Sequence, residues 1–283
     1  MSQANLFNFS KEAPNHGQTA ADRGEKSKTK PWIKKPGRLF DPSSNEPFKL
    51  SRTKIENFIK CPRCFYLDRR LGVAQPPGFP FSLNAAVDHL LKKEFDAHRA
   101  KGSQHPLMQQ YQLDLIPFNH PKMDVWRENF KGVEFFHQPS NFTIFGAVDD
   151  LWVNSQGELS VVDYKATSKD TEVTLDADWQ QSYKNQVEIY QWLLRRNDFL
   201  VSDTAYFVYV NGKRDRTAFD GRLEFDVKLI AYHGCDSWVE KTILEAKKCL
   251  LGDNLPEPAP DCEYCTYRQQ ANMAENKAKT VIS

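Results

Sequence analysis

The hydrophobic pattern of this chain predicts an α/β fold, a mixed central sheet flanked by helices. Three observations carry that reading. Two apolar segments, residues 142–153 and 158–167, are joined by the turn Asn154-Ser155-Gln156-Gly157, as in a pair of adjacent strands. Two more strand-like segments, residues 204–210 and 222–229, come after an amphipathic helical stretch that ends near Arg196. Helical periodicity also precedes and follows the strands, giving the order helix, strands, helix, strand, strand, helix. With 283 residues and 40% hydrophobic side chains, the chain can bury one large core or two smaller ones.

The elements follow in order. Residues 1–38 carry a net charge of +5, which leaves −4 for the remainder of a chain whose formal net charge is +1. They are poor in aliphatic side chains and cannot bury enough apolar surface to fold alone. Residues 1–48 are therefore expected to be a disordered basic arm and linker, suited either to phosphate contact or to solubilising the chain. Order begins near Lys49. Thr53-Lys54-Ile55-Glu56 has the pattern of a capping box, and Ile55, Phe58 and Ile59 share one face of a helix that must stop before Pro62. Ser82 opens a second helix that runs to about Ala100, with Leu83, Val87, Leu90, Leu91 and Phe95 as its apolar stripe and Gly102 beyond its end. Residues 103–135 mix prolines and aromatics, and no element is assigned to them. Asp178-Trp179-Gln180-Gln181 reads as a second capping box, and residues 233–251 as a last amphipathic helix. One folded domain over residues 49–268 results, followed by a flexible tail, residues 269–283.

The candidate chemistry sits where the two apolar strands meet. Residues two apart on a strand share a face, so Asp163 and Lys165 project together while Val162 and Tyr164 face the other way. Pairing across the turn brings Asp149 beside Asp163. Carboxylates that close repel unless a proton or a cation lies between them, and hard oxygen ligands suit Mg²⁺ or Mn²⁺. A lysine there can stabilise an attacking hydroxide or the charge developing at phosphorus. The competing reading is a hairpin whose charges are merely solvated. Asp150 shares the face of Ile144 and Trp152 and reads as a surface or salt-bridging residue. Gln186 lies on the apolar stripe of its helix with Tyr183, Val187 and Tyr190, so it needs a hydrogen-bond partner. Tyr190 is one turn away, although a core glutamine bonded to backbone would show the same pattern. His89 flanks the second helix beside Ala85 and Ala86, where a lone histidine is ordinarily structural or exposed.

Gly146-Ala-Val-Asp149, a turn, then Val161-Val162-Asp163-Tyr164-Lys165 resembles the active-site hairpin of the PD-(D/E)xK nuclease superfamily. Gln186-Val-Glu-Ile-Tyr190 is similar to the Gln-x-x-x-Tyr of its RecB-like branch, and the resemblance covers roughly residues 50 to 268. It implies a restriction-endonuclease-like core and a metal-dependent DNA nuclease. Asp149, Asp163, the backbone carbonyl of Tyr164 and His89 would hold Mg²⁺ or Mn²⁺. Lys165 would act on the nucleophile, while Gln186 and Tyr190 orient the strand or the lysine. The branch often sets its histidine in Gly-x-x-x-His, whereas here the glycine position is Ala85. The implied partner is DNA, single-stranded or at duplex ends, in repair, recombination or defence. No helicase motif is present, so any unwinding partner is a separate chain.

Four of the six cysteines form two pairs, Cys61-Pro-Arg-Cys64 and Cys262-Glu-Tyr-Cys265, at opposite ends of the folded region. They are too far apart for one local zinc ribbon but can form a Cys₄ site if the ends of the fold adjoin. Cys-Pro-x-Cys suits zinc, and disulfides are disfavoured in a reducing compartment. RecB-like nucleases, among them the AddB subunit and the CRISPR-associated adaptation nuclease, close their fold with a 4Fe–4S cluster. The resemblance therefore implies an iron–sulfur cluster, with structural zinc as the alternative. The family's usual one-plus-three arrangement is two-plus-two here. Cys235 and Cys249 read as small buried hydrophobes.

Arg63, Arg69, Arg70, Lys213, Arg214 and Arg216 are candidate phosphate contacts or solvated charges. No apolar run approaches the ~20 residues of a membrane span, and residues 1–10 lack the pattern of a signal peptide. A cytoplasmic protein without membrane contact is expected. The rival reading is a catalytically silent nucleic-acid-binding or scaffold protein on the same fold. The presence of Asp149, Asp163 and Lys165 together favours the enzyme.

Overall fold

Strand alternation and helical periodicity resolve into eight strands and eight α-helices in the computed structural model, which describes residues 39–76, 78 and 82–282. All of these belong to one unit, Trp32–Ser283. The basic arm falls, over residues 1–38, outside the described residues.

Strand β1 (Phe48–Ser51) runs directly into helix α1 (Arg52–Lys60). The first helix thus starts one residue before the expected capping box. Ser51 is its N-cap and makes no side-chain cap bond, while Glu56 is buried and accepts from Asn185 Nδ2 at 3.1 Å. Helix α2 (Pro62–Arg69) has Pro62 in its first turn, where the missing N–H costs nothing. Helix α3 (Ser82–Lys101) turns Val87, Leu91 and Phe95 inward, but Leu83 and Leu90 are exposed, so the stripe is narrower than the sequence suggests.

The unassigned stretch contains α4 (Pro106–Gln110), β2 (Ile116–Pro117), α5 (Met123–Trp126) and β3 (Val133–His137). Elements this short leave no readable period. Residues 142–153 are not one strand but two, β4 (Phe142–Gly146) and β5 (Asp150–Val153), which belong to different sheets. Then come β6 (Leu159–Thr167), α6 (Gln181–Arg196), β7 (Thr204–Gly212), β8 (Phe225–His233), α7 (Val239–Leu251) and α8 (Glu263–Ile282). Before α6, Gln180 Oε1 accepts from the Ala177 N–H at 3.0 Å, one residue ahead of the expected box. Residues beyond 268 continue α8.

Both sheets are mixed. One has the order β1-β4-β3, with β1 parallel and β3 antiparallel to β4. The other has the order β2-β5-β6-β7-β8, antiparallel throughout except for the β6–β7 pair. A parallel pair needs a long crossover, and α6 supplies it.

Two cores lie on opposite faces of the larger sheet. Val161, Phe207 and Tyr209 pack with Val187, Ile189, Tyr190 and Leu193 of α6 and with Ile243 and Leu250 of α7. Val162, Tyr164, Val208 and Trp152 pack with Phe95 of α3 and Met108 of α4. The alternation of β6 thus sends Asp163 and Lys165 toward α6 and Tyr164 toward α3. Gly146 makes the junction possible. A Cβ there would lie 2.5 Å from Tyr190 Cε1 and 3.3 Å from Arg52 Cβ, so only glycine lets α6 and α1 close over the end of β4.

Candidate active site and four-cysteine site

Register brings the acidic residues together. Asp150 of β5 pairs with Val162 of β6, which sets the preceding residue, Asp149, level with Asp163 and Tyr164. The Tyr164 N–H donates to Asp149 Oδ2 at 3.0 Å. Asp163 is fully buried and its Oδ2 meets the Lys165 ammonium. From α6, Gln186 Nε2 donates to Asp163 Oδ1 at 2.7 Å and to the Tyr190 hydroxyl at 3.3 Å, while its Oε1 accepts from Lys165 Nζ at 3.5 Å. The glutamine is thus bonded to side chains, and it touches both the aspartate and the lysine.

The electrostatics suit a cation. Burial, and then the neighbouring Asp149 carboxylate, push Asp163 up to about 6 against the pull of Lys165. Burial works against the charge on Lys165, but Asp163 and Asp149 outweigh it and raise its pKa. Lys92 of α3 reaches Asp149 Oδ1 at 3.3 Å and Asp88 at 2.9 Å. A buried acid that resists ionising beside a second carboxylate, both with hard oxygens, is a donor set that fits a divalent metal. The Tyr164 carbonyl lies between Asp163 and Lys165 on the same strand. His89 is exposed, and it is its neighbour Asp88 that turns toward the site through Lys92. Among the described residues, no third His, Cys, Asp or Glu forms a metal-sized group with Asp149 and Asp163.

Behind the site is a network that sequence reasoning missed. Asp150 is completely buried and takes Arg99, Arg127 Nη2 at 3.1 Å, its neighbour's N–H at 2.8 Å and the Tyr164 hydroxyl at 2.8 Å. It is a salt-bridging residue and not a surface one. Arg127 also donates to the Asp149 carbonyl at 3.0 Å and forks onto both oxygens of Asp96 at 2.9 Å. Two arginines therefore hold the backbone corner that presents Asp149. The adjacent pair Asp149-Asp150 was the available signal, since neighbouring side chains along an extended chain face opposite ways.

The proposed phosphate-contact residues are engaged elsewhere. Arg63 donates to the Pro256 carbonyl at 2.7 Å, Arg70 to the Phe40 carbonyl at 3.4 Å, and Arg69 pairs with Asp68. Lys213, Arg214 and Arg216 pair with Asp226, Asp170 and Glu224. Cys235 is exposed and Cys249 half-buried, so neither is the fully buried hydrophobe expected.

The two cysteine pairs meet. Cys61 precedes α2, Cys64 lies within it, Cys262 precedes α8 and Cys265 is in its first turn. The sulfurs of Cys61 and Cys265 are 3.8 Å apart, those of Cys64 and Cys262 3.5 Å, and those of Cys64 and Cys265 3.6 Å. All four lie within 4.8 Å of one another and are buried. Four thiolates at about 2.3 Å from one tetrahedral ion would stand roughly 3.8 Å apart, whereas a cubane would spread them to roughly 6 to 7 Å. The observed spacings lie near the single-ion value. Burial pushes Cys265 up to about 11 and raises Cys64 further. Cys61, despite burial, falls to about 7 because the backbone at Ala259 and Cys64 donates to it. Thiols so placed give up their protons together only to a cation, so the set fits a metal.

No helix among the described residues is long and apolar enough to cross a membrane. A family model described as the PD-(D/E)XK nuclease superfamily matches residues 80–270, well over half of the chain. No curated protein matches it.

Proposed function

The chain belongs to the PD-(D/E)XK nuclease superfamily, and from that premise we propose that it hydrolyses phosphodiester bonds of DNA with Asp149, Asp163 and Lys165 as its catalytic set. The observation that carries this reading is the single hydrogen-bonded unit of Asp163, Lys165 and Gln186, with Asp149 across the strand register. A silent scaffold has no need of a buried carboxylate beside a second one.

Asp149, Asp163 and the Tyr164 carbonyl would hold Mg²⁺ or Mn²⁺. Such an ion supplies water activation and neutralises charge on the phosphate. Lys165 donates its protons toward the attacking oxygen. Gln186 fixes both the lysine and Asp163, and Tyr190 fixes the glutamine. His89 would join only if α3 rotated to bring it where Asp88 now faces.

The Gln186–Tyr190 pair and the four cysteines support placement in the RecB-like branch, with residues 49–268 as the nuclease domain. The sulfur spacing favours one structural zinc over the 4Fe–4S cluster of that branch. Repair, recombination or defence, with a separate helicase, would be the setting. The test is incubation of labelled single- and double-stranded DNA with the full chain, with and without Mn²⁺. Mn²⁺-dependent cleavage lost in Asp163→Ala supports the reading. Binding without cleavage would make the chain the silent nucleic-acid binder instead.

A further inference from the structure

We propose that the start of α1, with Arg52 in its first turn, is a subsite for a backbone phosphate of the substrate strand adjoining the one at the acidic pair. The proposal rests on the nuclease reading above. A cavity of 220 Å³ opens beside the site, lined among others by Ser51, Arg52, Gly146, Asp149, Gln186 and Tyr190. It shares Asp149 and Gln186 with the acidic unit, so a strand laid on Asp149 passes its neighbouring group into this cavity.

Two independent features make the cavity attractive to an anion. Helix α1 is nine residues long, no side chain caps it, and its first turn holds no acid. Its leading N–H groups and the positive end of its dipole therefore lack a negative partner. Separately, Nε of Arg52 is buried with no hydrogen-bond partner, and no ion pair among the described residues includes Arg52. Its guanidinium lies 5.9 Å from the centre of the Tyr190 ring. Arg52 is only half-buried and lines the cavity, so its guanidinium is open to an anion there, and no bonded carboxylate already neutralises it. The group that matches its planar donor fork is a phosphate. Gly146 adds no side chain to the cavity wall.

The competing explanation is that Arg52 only props Tyr190 and offsets the charge of Asp163. Tyr190, which also hydrogen-bonds the Arg52 side chain, favours its cationic form against burial, as do Asp163 and Glu56. The two explanations part on whether Arg52 senses one particular phosphate of the strand.

The experiment measures equilibrium binding by fluorescence anisotropy, using the full chain with Ca²⁺ in place of Mn²⁺ and intact strand verified afterwards. A single-stranded oligonucleotide carries one neutral methylphosphonate linkage, walked one position at a time. For wild type, one position should weaken binding roughly tenfold or more, as loss of a hydrogen bond to a charged group does. Arg52→Gln should abolish that position-specific penalty and leave the other positions unchanged. Arg52→Lys, which keeps charge but not the fork, should reduce it and serves if the glutamine variant fails to fold. A variant profile identical to wild type, or a flat wild-type profile, overturns the subsite while leaving the nuclease reading intact. Failure of the unmodified strand to bind at all would remove both.

Discussion

The hydroxyl of Tyr164 donates to Asp150 Oδ2 at 2.8 Å, on the face of β6 opposite to Asp163 and Lys165. The same residue's N–H donates to Asp149 Oδ2 at 3.0 Å. One tyrosine thereby ties the acidic corner to the sheet from both sides. Burial and the Asp150 carboxylate raise the pKa of its hydroxyl, so it stays a donor at any physiological pH.

Tyr164→Phe leaves Asp150 Oδ2 buried without this donor. The expected cost is about 1–3 kcal/mol of stability, read in a urea titration. Cleavage should fall roughly tenfold, as for loss of a group that orients metal ligands. Unchanged activity would show that the arginines alone hold the corner.

Gln186→Ala removes bonds to both Asp163 and Lys165. Mn²⁺ affinity by calorimetry and cleavage should each drop, by roughly tenfold. If Mn²⁺ binding is untouched while cleavage falls, the glutamine acts on the strand and not on the carboxylate.

Metal binding should depend on pH through Asp163, whose pKa is pushed up to about 6 by burial. The carboxyl must be ionised to accept a cation. Above pH 6 affinity should be flat, and below it affinity should fall by up to about tenfold per unit as protons compete. An Mn²⁺ titration from pH 5 to pH 8 reads this directly, and an inflection near the ordinary aspartate value would contradict it.

Gly146→Ala places a Cβ 2.5 Å from the Tyr190 ring. Overpacking of this kind costs about 1–3 kcal/mol and should displace Tyr190 from Gln186. The melting temperature and cleavage should fall together. Gly157→Ala probes a glycine at φ +81 with open space around it, so it should lower stability by backbone strain and leave metal affinity unchanged.

Purified protein should carry one zinc per chain and be colourless, given sulfur spacings of 3.5–3.8 Å. Cys262→Ser should destabilise the domain by several kcal/mol, on the order of a lost structural metal, because an ion held by the four cysteines would join α2 to the start of α8. Brown protein with four irons would reverse the choice of metal and keep the staple.

The acidic unit was legible because a strand has a period of two and a helix a period near four. Asp163 with Lys165, and Gln186 over Tyr190, are local consequences of those periods. The split of residues 142–153 between two sheets was not legible, since an unbroken apolar run looks the same whether or not the chain turns within it. Nor were the partners of Asp150, because Arg99 and Arg127 lie 51 and 23 positions away in sequence.

The sequence by itself determined which residue types could bind a metal, which share a face, and that two cysteine pairs exist. Tertiary structure decided what those residues meet. It turned Asp88 and not His89 toward Asp149, because the rotation of α3 is set by packing Val87, Leu91 and Phe95 against the sheet. It joined cysteines 198 positions apart and left Arg52 facing a cavity. Such relations depend on how whole elements dock, a matter of summed burial over many side chains, and no local pattern encodes them.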